Sequence, residues 1–183
     1  TLDCIDRSRY MTDKGTLILF AWEGEKLDTE GWLDSKQETR LEAIAKREAF
    51  KAKPGEILVY HPADDEPASR ILVAGLGKKK EASQIGLKLA AARAMKACSK
   101  QSESVQIDIP RWPEKTGIAA LSQALTEAAC LSQYRYTKHK SGEKDSLKEQ
   151  ILKKAVLIVE KPEEVAQAKE GIRRGEIFSE AVL

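Results

Sequence analysis

Two histidines, three cysteines and some clustered carboxylates are the side chains in this 183-residue chain that could take part in bond chemistry. His61 precedes Pro62, and His139 sits in the run Arg135-Tyr136-Thr137-Lys138-His139-Lys140. Zinc sites use His and Cys ligands at short, characteristic spacings, and neither histidine has such a neighbour. Asp64, Asp65 and Glu66 follow His61 but lack the alternating ligands and central glycine of a calcium loop. Cys4, Cys98 and Cys130 are too far apart for a disulfide framework or a zinc knuckle, and read as small buried hydrophobes in a reducing compartment. No nucleophile with a partnering base emerges from these residues.

Anion chemistry has two candidate locations. Gly75-Leu76-Gly77 follows an apolar run and precedes a helical pattern, where backbone N–H groups could meet a phosphate. Lys80 stands where the dinucleotide fingerprint needs its third glycine, and the G-x-x-x-x-G-K-[ST] string is missing, so a tight turn explains the glycines better. Three lysines follow, Lys78, Lys79 and Lys80. The segment Tyr134–Lys154 carries seven Lys or Arg against three acids, with Tyr134 and Tyr136 available to stack on bases. Arg135, Lys138 and Lys140, with the three lysines, are the candidate contacts for nucleic acid or another anion. Over the whole chain, 31 Lys and Arg against 29 Asp and Glu leave a net charge of +2, too little for a dedicated nucleic-acid or anionic-membrane binder.

The elements that must position these residues alternate between strand and helix. Thr16–Trp22, Ile57–Tyr60, Arg70–Ala74, Ser104–Ile109 and Ala155–Val159 are short apolar runs of strand length, with Leu2–Ile5 a weaker sixth. Helical patterns span about Glu30 to Phe50, capped by Asp28 or Thr29, then about Glu81 to Ser99, Ile118–Leu131, and a terminal helix opened by Lys161-Pro162-Glu163-Glu164. In the second helix Ile85, Leu89, Ala92 and Met95 are expected on the inner face, and its many alanines allow close approach to a sheet. The strands are too apolar to have a wet face. The expected fold is therefore α/β, a three-layer α/β/α sandwich with a mixed, largely parallel central sheet.

A 42% hydrophobic fraction is enough for one conventional core in a chain of this length. No uncharged apolar stretch approaches the roughly 18 residues of a membrane span. The first residues lack the apolar centre of a signal peptide, so a cytoplasmic location is expected. The chain opens at Thr1 and closes on the apolar helical run Ile177–Leu183 without a stop signal, which reads as a piece of a longer protein.

The order of segments resembles one family. Gly55-Glu56-Ile57-Leu58-Val59-Tyr60-His61-Pro62 is followed by Arg70-Ile71-Leu72-Val73-Ala74-Gly75-Leu76-Gly77-Lys78-Lys79, an Ala-rich helix, Tyr134-Arg135-Tyr136-Thr137-Lys138-His139-Lys140-Ser141, and a closing helix with Gly175-Glu176. Together they resemble the N-terminal domain of the cytosol (leucyl) aminopeptidases, with Ala74, Tyr136 and His139 departing from the commoner Val, Phe and Tyr. The resemblance implies a macro-domain-like fold over residues 1–160 and a helix over 161–183 that connects to a catalytic domain absent from this chain. It implies no catalytic or metal-binding residue here, because the family's N-T-D-A-E-G-R-L motif does not occur. The full-length parent would use two divalent ions, manganese or zinc, to release N-terminal residues from peptides. It would assemble as a hexamer, and some bacterial members contact DNA. Macro domains bind ADP-ribose; here Ala21-Trp22-Glu23-Gly24-Glu25 replaces their Asn-containing loop.

Overall fold

The computed structural model describes residues 1–10, 15–29, 31–62, 70–98, 102–113, 115–132 and 152–182. Six strands, β1 (Leu2–Asp6), β2 (Thr16–Ala21), β3 (Ile57–Tyr60), β4 (Arg70–Gly75), β5 (Ser104–Asp108) and β6 (Lys154–Val159), form one sheet in the order β1-β6-β5-β2-β4-β3. Every pairing is parallel except β3 with β4. The exception follows from chain length. Only residues 61–69 join those two strands, and a parallel crossover needs about a dozen residues or more.

Burial on both faces explains why the strands read as continuous apolar runs. All six residues of β2 are buried. Leu17, Leu19 and Ala21 join Ile71, Val73 and Leu58 on one face, against Leu41 of α1 (Ser35–Arg47). Ile18 and Phe20 join Leu72, Ala74, Ile107 and Leu157 on the other. That second face is covered by α2 (Gln84–Cys98), α3 (Ile118–Ser132) and α4 (Val165–Val182). Truncating a side chain such as Leu72, which is fully buried, would cost about 2–5 kcal/mol. The three-layer sandwich expected from the alternation is the fold observed, and no helix among the described residues is long and apolar enough to cross a membrane.

Two local expectations are corrected. The first helix begins at Ser35, not near Glu30. Gly31 adopts a φ of +79°, which a right-handed helix cannot include, and the Thr29 hydroxyl donates to Glu38 at 2.6 Å instead of capping. Asp34 is the cap. Its carboxylate accepts from the amides of Lys36 and Gln37, each at 2.8 Å, and Gln37 Oε1 accepts from the Asp34 amide at 2.8 Å, a reciprocal pairing that satisfies the free amides of the first turn.

In α2 the buried stripe is Leu87, Ala90, Ala91, Ala94, Met95 and Cys98. Ile85 and Leu89 are instead exposed, at 70% and 59%. The alanines decide the rotation, because small side chains let this helix lie close to the sheet and α3, and the larger aliphatics are turned outward.

The layer of α2, α3 and α4 is held at short range. A Cβ built on Gly171 would lie 2.2 Å from the Ala119 carbonyl oxygen, and one on Gly175 would lie 2.7 Å from Thr126 Cβ. The two helices thus touch backbone to backbone. Gly171→Ala is expected to lose about 1–3 kcal/mol by overpacking, outweighing the roughly 1 kcal/mol that Ala gains over Gly in a helix interior. A lowered urea midpoint would show it; a raised midpoint would contradict the close approach.

Candidate functional site

In open α/β sheets, ligands bind outside the carboxyl ends of the strands where neighbouring connections leave to opposite faces. Here that point lies between β2 and β5. The chain leaves β2 toward α1 on one face and leaves β5 toward α3 on the other. A cleft of about 270 Å³ opens there, between Ala21 and Trp22 at the end of β2 and Asp108 to Arg111 at the end of β5.

Most charged side chains of this cleft face one another, whereas Lys26, which also lines it, is exposed and faces Glu38 and Glu42 of α1 at 3.7 and 3.9 Å. Arg7 Nη2 donates to both oxygens of Asp108, at 2.9 and 3.1 Å, and Trp32 Nε1 donates to Asp108 Oδ2 at 3.0 Å. The Arg7 guanidinium lies 5.1 Å from the Trp32 ring centre, and Trp32 meets Tyr10 edge-on at 4.8 Å. Burial pushes the Asp108 carboxyl above its ordinary range, outweighing the opposing pull of Arg7. Arg111 faces Asp28 at 3.6 Å and Glu160 at 3.2 Å, and Lys79 faces Glu25 at 3.1 Å. Across the top, Trp22 packs on Trp112 with ring centres 5.2 Å apart.

The Gly75-Leu76-Gly77 turn beside this cleft is a structural crossing. The amide of Gly75 donates to the Glu56 carbonyl, that of Leu76 to Ala21, and that of Gly77 to Ala52, each at 2.9 Å. All three N–H groups that could have cradled a phosphate are therefore engaged. A Cβ on Gly75 would sit 2.2 Å from the Lys53 carbonyl oxygen, so the segment 51–56 lies directly against the turn. Glu56 fastens that segment: its Oε2 accepts from the amides of Lys51 and Lys53 at 2.9 and 3.1 Å.

Of the candidate anion contacts, Lys78, Lys79 and Lys80 lie in or beside a 3-10 turn over Lys79–Glu81 and are exposed, with Lys79 held by Glu25. Arg135, Lys138 and Lys140 lie outside the described residues, as do His139, Asp64, Asp65 and Glu66. His61 is exposed just after β3. Burial raises the thiols of Cys4 and Cys98 to about 11 and also raises Cys130, which leaves them protonated and poorly nucleophilic at neutral pH. Among the described residues no three His, Cys, Asp or Glu side chains gather to hold a metal ion. Their buried carboxylates already have partners, Asp6 with Ser8 and Arg9 and Glu127 with Lys88 and Gln123, and the largely buried Asp108 is held by Arg7. The described residues thus do not fit a dinuclear metal centre.

Hydrogen bonds from the Lys51 and Lys53 amides hold the Glu56 carboxyl below its ordinary value. Its contribution to stability is accordingly present above the ordinary carboxylate range, about 4.3, and is lost as pH falls through the lowered folded value. The stability difference between the protein and its Glu56→Gln variant should be constant near neutrality and shrink on acidification, read from urea midpoints at several pH values. A difference that grows toward acid would contradict the assignment.

Comparison with known proteins places the chain. Residues 18–143 match the model for the N-terminal domain of the cytosol aminopeptidase family. A probable cytosol aminopeptidase of Aquifex aeolicus is 32% identical over 91% of this chain, and another from Nitrosococcus oceani is 25% identical over 91%. The chain spans only 31% and 33% of those relatives. A tomato leucine aminopeptidase mutant superimposes on 100% of this chain and 36% of its own length, with a TM-score of 0.70 at 15% identity. The bottromycin maturation enzyme BotP, also solved in complex with Mn, covers 91% of this chain and 31% of its own, with a TM-score of 0.59 at 21% identity. The chain belongs to the cytosol aminopeptidase family, and it corresponds to that family's N-terminal domain.

Proposed function

We propose that this chain is the non-catalytic N-terminal part of a metal-dependent leucyl aminopeptidase. In this reading, hydrolysis of N-terminal residues from peptides belongs to the two-thirds of the relatives' length that the chain does not span. The observation that carries it is the family match over residues 18–143, joined to a switch-point cleft most of whose charged groups are paired with one another. Two divalent ions, manganese or zinc, would be held by the remaining part of the parent, where they would polarise the peptide carbonyl and activate water. This domain would serve assembly of a hexamer and access to the active site, in the cytoplasm, with residues 161–183 leading from the domain toward the catalytic part.

An accessory contact with DNA through Lys78, Lys80 and the basic segment after α3 has less support. Lys79 is already held by Glu25, and the net charge of +2 supplies little general attraction. ADP-ribose binding, as in macro domains, is disfavoured by the paired charges of the cleft and the engaged amides of the glycine turn.

The two parts are separable by assay. Leucine amide hydrolysis with manganese should be seen with the full-length parent and be absent from the purified 183-residue chain. Metal-dependent turnover by the chain alone would overturn the non-catalytic reading.

A further inference from the structure

Trp22, Glu25 and Lys26 wall the switch-point cleft and also a second, larger cavity of about 460 Å³. The rest of this cavity comes from the segment after β2, from α1 and from residues 50–52. Leu27, Ala45 and Phe50 pack against the core on the α1 side of the sheet, and Ala52 belongs to that core. With Trp22 they give the cavity an apolar lining. Its volume is within the range of pockets that take small molecules, about 300–1,000 Å³.

The end of α1 is shaped to place Phe50 here. Ala49 is left-handed, with a φ of +53°, and the Phe50 amide reaches back to the Ala45 carbonyl at 2.9 Å, a helix-ending turn that usually employs glycine. Ala52 is left-handed as well, with a φ of +56°. Glycine would take both conformations without the steric cost that a β-carbon imposes. Backbone strain of this kind collects at ligand-binding positions.

The cavity has five charged side chains, and three are engaged. Lys26 faces Glu38 and Glu42, and Glu25 faces Lys79. Glu23 and Lys51 remain. Among the described residues neither side chain has a hydrogen bond or an ion pair, although the Lys51 charge helps to lower the Glu56 carboxyl. They stand on different walls, one on the segment after β2 and the other on the segment after α1. An apolar cavity with one unmatched acid and one unmatched base is complementary to a small zwitterion with an apolar body.

We propose that this cavity binds a free α-amino acid with an apolar side chain. Its ammonium pairs with Glu23, its carboxylate with Lys51, and its side chain lies against Trp22, Leu27 and Phe50. A ligand with a single charge would leave one of the two protein groups unmatched, and a polyanion would meet Glu23, Glu25 and Glu42. The two aromatic walls suit an aromatic side chain. This site does not rest on the function proposed above.

Titration calorimetry of the 183-residue chain with three probes tests it: L-phenylalanine, phenethylamine, which lacks the carboxylate, and 3-phenylpropanoate, which lacks the ammonium. L-Phenylalanine should give a saturable isotherm with ligand raised to about 10 mM. Each truncated probe should bind about tenfold or more weakly, the loss expected of one charge-assisted bond. Glu23→Gln should erase the preference for L-phenylalanine over 3-phenylpropanoate, and Lys51→Met the preference over phenethylamine. No saturable heat with L-phenylalanine, or equal binding of all three probes, would overturn the inference. L-Phenylalanine binding that survives both substitutions unchanged would also overturn it, by placing the ligand elsewhere. The probe series needs only the unaltered chain, so it decides the matter even where a substitution lowers the urea midpoint.

Discussion

Asp108 is the fixed point on which the carboxyl edge of the sheet depends. It ends β5, yet its carboxylate holds Arg7 from the turn after β1 and Trp32 from the connection after β2. Two loops are thereby tied to the end of β5, across as many as 101 residues of sequence. Burial raises the carboxyl and makes its ionised form costly, and the charge-assisted bonds from Arg7 Nη2 offset part of that cost. A group so placed cannot be lost cheaply, because Arg7 would be left with its charged partner missing in a mostly buried position.

The same arrangement accounts for the character of the cleft. A crevice at a switch point is where an α/β fold ordinarily receives a ligand. Here Arg7, Arg111 and Lys79 face Asp108, Asp28 with Glu160, and Glu25 respectively, and the amides of Gly75, Leu76 and Gly77 serve backbone carbonyls. An incoming phosphate would have to displace carboxylates and break backbone hydrogen bonds. These features favour cohesion between loops over recognition, in line with the non-catalytic reading proposed above.

The sheet was legible in the sequence because its strands are buried on both faces, so β2 and β4 read as unbroken apolar runs with no competing pattern. The glycine turn was also legible, since the missing third glycine removed the nucleotide reading. Helix rotation was not: in α2 the large aliphatics Ile85 and Leu89 suggested one face, and the alanine stripe that fits against the sheet and α3 selected another. The start of α1 was hidden because Thr29 resembles a cap until its hydroxyl is seen to reach Glu38. The Asp108 cluster left no spacing signal at all, for its members are brought together only by strand order. At most, a carboxylate closing the alternating run Val105-Gln106-Ile107-Asp108 hinted at a residue held at the sheet edge.

Titration calorimetry of the 183-residue chain with ADP-ribose tests most directly whether the switch-point cleft is closed by its own charges. The account predicts no saturable heat with ligand raised to about 1 mM, equivalent to binding weaker than about 4 kcal/mol. A saturable isotherm with a micromolar dissociation constant would contradict it, because the paired side chains would then have yielded to a ligand.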